Sequence, residues 1–282
     1  MSPPRLLAVA AALIAGADVL AHATLEVAAA RARPLPACPA EDDPPPPWGA
    51  RAAHVVGEAL LALLAVLSLP FALHRTRARP AGVDEPPPVL LVHGHVQRAA
   101  CRLWLGRRLR RGGRQVASAG YSALADLERG AARVGRALER LRRETGAATV
   151  DVVAHGVGGL IVRAYVRARG PAAGIRRLVT LATPHQGTAC AWLRLDPGSR
   201  LLVGLGRDDP VPRLTDVVAI YSTDDAVVVP ATNGYYAGAF NVEVQGLGHA
   251  AMLVSRRVAA LVRENLDAPP AGPTAGLGGT HG

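Results

Sequence analysis

Lysine is absent from this 282-residue chain, so its 32 Lys-plus-Arg positions are all arginine, and the formal net charge is +10. A positive charge of this size is one signature of nucleic-acid binding. However, the arginines are scattered, and aromatic residues, only 4% of the chain, do not alternate with them as a single-strand binding surface requires. An alanine-rich chain without lysine indicates a GC-rich coding bias, which accounts for the many arginines without nucleic-acid binding. We therefore expect no nucleic-acid partner, and a basic surface suited to anionic lipid.

Cysteine is also scarce, with three residues, Cys38, Cys101 and Cys190. An odd and widely spaced set does not form a disulfide framework, and none of the three has the spacing of a metal-binding motif. We expect three unpaired thiols, no metal and no other cofactor.

Long apolar runs are confined to the first 80 residues. Residues 52–73 form an apolar stretch of about 22 residues, long enough to cross a bilayer, and Arg75, Arg77 and Arg79 follow it. Arginines directly after an apolar segment are typical of the cytoplasmic flank of a transmembrane helix. We therefore predict a transmembrane helix at 52–73, a location in the inner (cytoplasmic) membrane, and a large domain that faces the cytoplasm.

An earlier apolar segment, residues 6–30, has two interpretations. It is a first membrane helix, which would form a hairpin with 52–73, or a signal peptide, because Ala21-His22-Ala23 fits the small-residue cleavage pattern. Both place the proline-rich residues 31–51 outside the membrane. The predicted organisation is a membrane region at 1–80, a linker at 81–88, a large domain at 86–267 and a disordered tail at 268–282.

The large domain alternates between strand and helix patterns. The pattern predicts a short buried strand at 89–92 and further strands at 115–118, 150–154, 175–182, 217–221 and 242–244. Amphipathic patterns predict helices at 102–111, 123–145, 159–169 and 250–266. Strands that alternate with helices form a mostly parallel sheet with helices on both faces, so the predicted fold class is α/β.

A glycine-rich turn follows the third predicted strand. Residues 152–160 read VVAHGVGGL, a strand, a tight turn at Gly156 and the start of a helix. Such a turn can bind phosphate, but this one has neither a Lys-Ser/Thr pair nor a complete Gly-x-Gly-x-x-Gly pattern. Farther along the chain, Asp225 lies just after the fifth predicted strand and His249 just after the sixth. A turn, an acid and a histidine in this order indicate a functional site more strongly than a lone Asp or His, which is more often structural.

In these motifs the large domain resembles the bacterial lipase and esterase group of α/β-hydrolases. Residues 88–94 (PVLLVHG), 151–159 (DVVAHGVGG) and 178–188 (LVTLATPHQGT) match segments of that group in order, as do 220–230 and 246–249. The resemblance implies a small α/β-hydrolase fold with His249 as the base of a triad. It also implies Asp225, rather than Asp224, as the acid, because the group's aspartate stands four residues after a tyrosine.

The same resemblance implies a site without a nucleophile. The hydrolase elbow reads Gly-x-Ser-x-Gly, whereas here Ala154 replaces the first glycine and Gly156 replaces the serine. Glycine has no side chain to acylate, so the usual covalent route is closed. The backbone N–H groups of His95 and Val157 would be the oxyanion donors.

We therefore expect a membrane-associated pseudo-hydrolase whose partners are the membrane and a bound lipid or small ester. The alternative is a weakly active carboxylic-ester hydrolase that uses water, a metal or a displaced nucleophile. The metal ligands would be histidines near the site, and the displaced nucleophile would be a nearby hydroxyl. These candidates are His93, His95, His155, His185 and His249, and Ser118, Ser122, Thr183 and Ser222. A third interpretation is a structural membrane protein whose former site has decayed.

Overall fold

A computed structural model of the chain describes residues 78–82, 85–94, 101–119, 127–190, 195–196, 198–206 and 209–269. The predicted membrane segments at 6–30 and 52–73, and all but two residues of the predicted tail, lie outside these ranges. Within the ranges, no helix combines the length and the hydropathy that crossing a bilayer requires.

Six strands form one parallel sheet. They are β1 (Val89–Val92), β2 (Val116–Ser118), β3 (Val150–His155), β4 (Ile175–Leu181), β5 (Asp216–Ser222) and β6 (Phe240–Val244). Their order across the sheet is β2-β1-β3-β4-β5-β6, and each neighbouring pair is parallel. The predicted parallel sheet is therefore confirmed, with strand ends that differ by one or two residues from the sequence prediction.

Helices cover both faces of the sheet. They are α1 (Gly106–Arg111), which continues a π-helical turn at Cys101–Leu105, then α2 (Leu127–Thr145), α3 (Val157–Arg169), α4 (Arg200–Leu205), α5 (Val211–Leu214), α6 (Ala251–Val254) and α7 (Arg256–Asp267). Because successive strand residues point to opposite faces, Leu90 and Val92 of β1 pack under α2 and α3, whereas Val89 and Leu91 pack under α1, α6 and α7. Each fully buried Val or Leu contributes about 1.5–3 kcal/mol.

Three helices differ from the sequence prediction. The helix predicted at 102–111 is α-helical only from Gly106, after the π-helical turn. The closing helix predicted at 250–266 is two helices, because the backbone of Ser255 is extended and its side chain accepts a hydrogen bond from the Val258 N–H, which caps α7. The helix predicted at 159–169 begins two residues earlier, at Val157.

A buried ion-pair cluster lies at the edge of the sheet where the strands begin. The carboxylate of Asp151 is fully buried and accepts hydrogen bonds from Arg114 Nη1 at 2.7 Å and from Arg176 Nε and Nη2 at 2.8 and 2.7 Å. The other Arg114 nitrogen donates to the Leu266 carbonyl at 2.9 Å and to Asp267 at 2.7 Å. The cluster thus joins β3, β4 and the turn before the edge strand β2 to the end of α7.

Candidate functional site

One residue, Gly156, connects β3 to α3. Its φ of 55° and ψ of −131° lie in a region that residues with a side chain rarely adopt, and glycine reaches it without a steric penalty. The Gly156 N–H donates to the Leu181 carbonyl at 2.9 Å. Its carbonyl accepts from the Gly159 N–H at 3.0 Å and from the Thr183 hydroxyl at 2.9 Å. Hydrogen bonds on both sides therefore fix the turn.

The start of α3 packs closely against two neighbouring strand ends. A Cβ atom at Gly158 would lie 2.7 Å from the Val92 carbonyl oxygen, and one at Gly159 would lie 2.2 Å from the Thr183 hydroxyl oxygen. No real Cβ atom tolerates these distances. Glycine at both positions is therefore a packing requirement of this turn.

Gly159→Ala is expected to lower the free energy of unfolding by about 1–3 kcal/mol, because the new methyl group displaces the buried Thr183 side chain. That displacement also breaks the hydrogen bond from Thr183 to Gly156. Gly204→Ala in α4 is the matched control, since a Cβ there meets no atom within 4 Å. The control should be neutral or stabilising by up to about 1 kcal/mol. Urea unfolding of the full chain in mild detergent measures both, and equal stabilities would contradict the packing argument.

Asp225 and His249 lie in the loops after β5 and β6, and their side chains are in contact. His249 Nδ1 donates to Asp225 Oδ2 at 2.8 Å. The other carboxylate oxygen accepts from the N–H groups of Val227 and Val228 at 2.8 and 3.0 Å. Burial alone would raise the pKa of Asp225, but His249 and these N–H groups outweigh it and the pKa is lowered. Asp225 is therefore a buried carboxylate that orients the His249 ring.

The Nε2 side of the His249 ring faces Gly156. A Cβ atom built on Gly156 would lie 3.2 Å from His249 Nε2 and 3.9 Å from the Cα atom of Gly94. A side chain at position 156 would therefore point from the turn directly at the histidine, with the end of β1 beside it. The structure brings the predicted residues Gly156, Asp225 and His249 together at the edge where the strands end.

A second histidine, His155, supports the backbone of His249. His155 Nε2 donates to the His249 carbonyl at 2.9 Å, and the two rings meet edge to face with centroids 4.6 Å apart. Burial, and then the neighbouring His249, lower the pKa of His155 to about 3, so its ring is neutral. The only signal for this role in the sequence is the position of His155 directly before the turn, which does not identify the partner.

The structure describes only one of the two predicted oxyanion donors. Val157 is the first residue of α3, where a helix leaves backbone N–H groups without partners inside the helix. His95 lies outside the described residues. Its role therefore remains a prediction from the sequence.

The metal alternative has no cluster of ligands among the residues that the structure describes. His185 is stacked on Tyr236 with ring centroids 4.1 Å apart, is hydrogen-bonded to Thr180, and lies beside the Arg163 guanidinium. Burial and then Arg163 hold the pKa of His185 well below its usual value. In the part of the chain that the structure describes, no three His, Cys, Asp or Glu residues are grouped as metal ligands.

Two of the four candidate hydroxyl nucleophiles donate to the backbone. The Thr183 hydroxyl bonds to the Gly156 carbonyl, and the Ser222 hydroxyl bonds to the Leu247 carbonyl at 2.5 Å. Ser118 ends β2, at the far edge of the sheet order. Ser122 lies outside the described residues.

No protein-family model matches the chain. Among solved structures, a Bacillus licheniformis lipase in its mature form is similar with 15% identity and a TM-score of 0.59, over 68% of this chain and 98% of the lipase. A Pyrobaculum calidifontis esterase is similar with 13% identity and a TM-score of 0.52, over 80% of this chain and 95% of the esterase. The chain has an α/β-hydrolase fold. At these identities the α/β-hydrolase likeness establishes the fold, which the sequence motifs predicted.

Proposed function

We propose that this α/β-hydrolase is a lipase/esterase-like pseudo-hydrolase in which Gly156 occupies the position of the nucleophile. The observation that carries this proposal is the direction of residue 156, whose Cβ atom would lie 3.2 Å from His249 Nε2. A triad nucleophile must lie within hydrogen-bond reach of its base, and the base must be oriented by an acid. The 2.8 Å contact between His249 and Asp225 supplies the second condition.

The missing side chain removes covalent catalysis and leaves the rest of the proposed machinery. No acyl-enzyme can form on glycine. The N–H groups of Val157 and His95 would still bind the carbonyl oxygen of an ester, because they belong to the backbone. We infer that the site binds a lipid or a small carboxylic ester and releases it unchanged.

The proposed location is the membrane. Residues 52–73 and the arginines after them support a protein anchored in the inner membrane, with the hydrolase domain on the cytoplasmic side. A ligand with an acyl chain would then reach the domain from the lipid phase.

The proposal is tested with the purified full chain in mild detergent. Wild type and His249→Ala should hydrolyse p-nitrophenyl acetate and butyrate at the same low rate, because neither has a nucleophile. Neither protein should react with a fluorophosphonate probe. A fluorescent monoacylglycerol should nevertheless bind saturably to wild type, in competition with unlabelled ester. Absence of saturable binding would instead favour a structural protein with a decayed site.

A second candidate function is slow hydrolysis by water, with His249 as the general base. The intact Asp225–His249 hydrogen bond favours it, because a histidine oriented in this way can act as a general base toward water. Removing a triad nucleophile leaves a residual acceleration of about 10³–10⁴ over water in known hydrolases. Wild-type hydrolysis that is lost in His249→Ala would establish this activity in place of the pseudo-hydrolase.

A further inference from the structure

One exposed face of the domain combines a tryptophan with arginines. Trp104, in the π-helical turn before α1, is 52% exposed. Arg107, Arg108 and Arg111 follow at intervals of three and four residues, so they share a helix face with Trp104. Arg107 and Arg111 are exposed and Arg108 is half-buried. We call these four residues the Trp–Arg face.

The positive charge of this face is uncompensated within the described residues. The segment Cys101–Arg111 contains no acidic residue. None of its three face arginines forms an ion pair with a residue that the structure describes, whereas Arg114, Arg163 and Arg177 each bind a carboxylate. One nitrogen of Arg108, Nη1, is buried without a hydrogen-bond partner.

A further arginine extends the charge at the end of α1. Arg263 of α7 is exposed, and its Cδ atom would lie 3.5 Å from a Cβ built on Gly112. The nearby Asp267 is bonded to Arg114. Arg263 therefore adds a fourth basic group at the end of α1.

The end of the Trp–Arg face lies four residues along the chain from Gln115, which contacts the point where the chain enters the domain. The Arg79 N–H donates to the Gln115 side chain at 3.0 Å, and that side chain donates back to the Arg79 carbonyl at 3.0 Å. Gln115 follows Arg111 by four residues. The predicted membrane segment ends at residue 73, six residues before Arg79, and an extended segment of that length spans at most about 20 Å.

We propose that the Trp–Arg face docks the domain onto the surface of an anionic phospholipid bilayer. Arginine binds phosphate groups through paired N–H donors, and tryptophan favours the interface between lipid and water. The short connection to residue 73 favours a bilayer over other anionic partners. This docking rests on the proposed membrane anchor at residues 52–73, but it does not depend on whether the site turns over an ester.

The test uses the full chain with Trp48→Phe and Trp192→Phe, which leaves Trp104 as the sole tryptophan. The protein is reconstituted in vesicles of phosphatidylcholine, with or without phosphatidylglycerol, that contain brominated phosphatidylcholine as a quencher. We expect Trp104 emission to shift to shorter wavelength and to be quenched only when phosphatidylglycerol is present. Sodium chloride should reverse the effect, because it screens exposed charges.

Charge reversal separates this face from a general effect of net charge. Arg107→Glu/Arg108→Glu/Arg111→Glu in the single-tryptophan chain should reduce quenching to the level in pure phosphatidylcholine. The matched control is Arg129→Glu/Arg133→Glu/Arg136→Glu, three exposed residues of α2, which packs on the opposite face of the sheet. The control should retain phosphatidylglycerol-dependent quenching.

Several results would overturn the proposal. The first is a parent protein whose quenching does not depend on phosphatidylglycerol. The second is an equal loss of quenching in both triple variants. The third is a shift of Trp104 emission that an oligonucleotide, or a higher protein concentration, produces without vesicles. If the charge-reversed triple variant does not fold, the salt titration of the parent still decides, since salt-insensitive quenching contradicts electrostatic docking. Flotation of every variant with the vesicles after an alkaline wash separately reports anchorage by residues 52–73.

Discussion

Gly156→Ser is expected to hydrolyse p-nitrophenyl butyrate on the order of 100-fold faster than wild type, a small part of the roughly 10⁶-fold that a triad serine contributes to kcat in an evolved hydrolase. The serine side chain would leave the backbone along the direction of the Cβ atom that lies 3.2 Å from His249 Nε2. The hydroxyl would then be within reach of a base already oriented by Asp225. Only the oxygen is missing from the proposed triad.

The gain should remain well below the rate of an evolved lipase for two structural reasons. A Cβ at 3.2 Å from Nε2 is slightly too close, so the His249 ring must move by a few tenths of an ångström. The backbone at φ 55° also disfavours any side chain, which costs about 1–3 kcal/mol of stability. The variant should therefore be more active and less stable than wild type.

Two variants control for these effects. Gly156→Ala carries the same backbone strain without a hydroxyl and should stay inactive, while Gly156→Ser/His249→Ala keeps the hydroxyl without its base and should also stay inactive. The single serine variant should react with a fluorophosphonate probe. A folded Gly156→Ser protein that neither reacts with the probe nor exceeds wild-type hydrolysis would contradict the nucleophile assignment.

The sheet could be predicted because its signals are local. Strands buried on both faces are continuous apolar runs, as in residues 89–92, and the helices between them have amphipathic periods. Asp225 and His249 could also be paired in advance, because the loops after parallel strands meet at one edge of a sheet. What the sequence could not supply was the distance between them, or the direction in which residue 156 points.

Other features depend on contacts between distant parts of the chain. The split of the closing helix depends on whether the Ser255 side chain caps α7 or faces solvent, and periodicity does not distinguish these. The bond from His155 to the His249 carbonyl joins residues 94 positions apart. Ala182 adopts φ 47° without being glycine, so a residue-based turn rule does not find it. Short helices such as α4 have too few residues for a periodic pattern.

Asp151→Asn is expected to lower the free energy of unfolding by about 3–5 kcal/mol, the usual loss when one partner of a buried ion pair is removed. The variant keeps the shape of the side chain but not its charge. Arg114, whose side chain is 3% exposed, would remain buried, with the half-exposed Asp267 as its remaining carboxylate. Arg176 would lose its carboxylate partner at the same position.

Glu139→Gln is the matched control, because it removes one carboxylate from the exposed pair with Arg169. Exposed pairs contribute about 0–1 kcal/mol, so the control should unfold nearly as wild type does. Urea unfolding of the full chain in mild detergent, followed by near-ultraviolet circular dichroism, measures both. Similar stabilities would show that the cluster around Asp151 does not hold β2, β3, β4 and the end of α7 together. Because this cluster lies at the edge opposite Gly156, the Asp151 variant should bind ester as wild type does wherever it remains folded, which separates a loss of stability from a loss of the site.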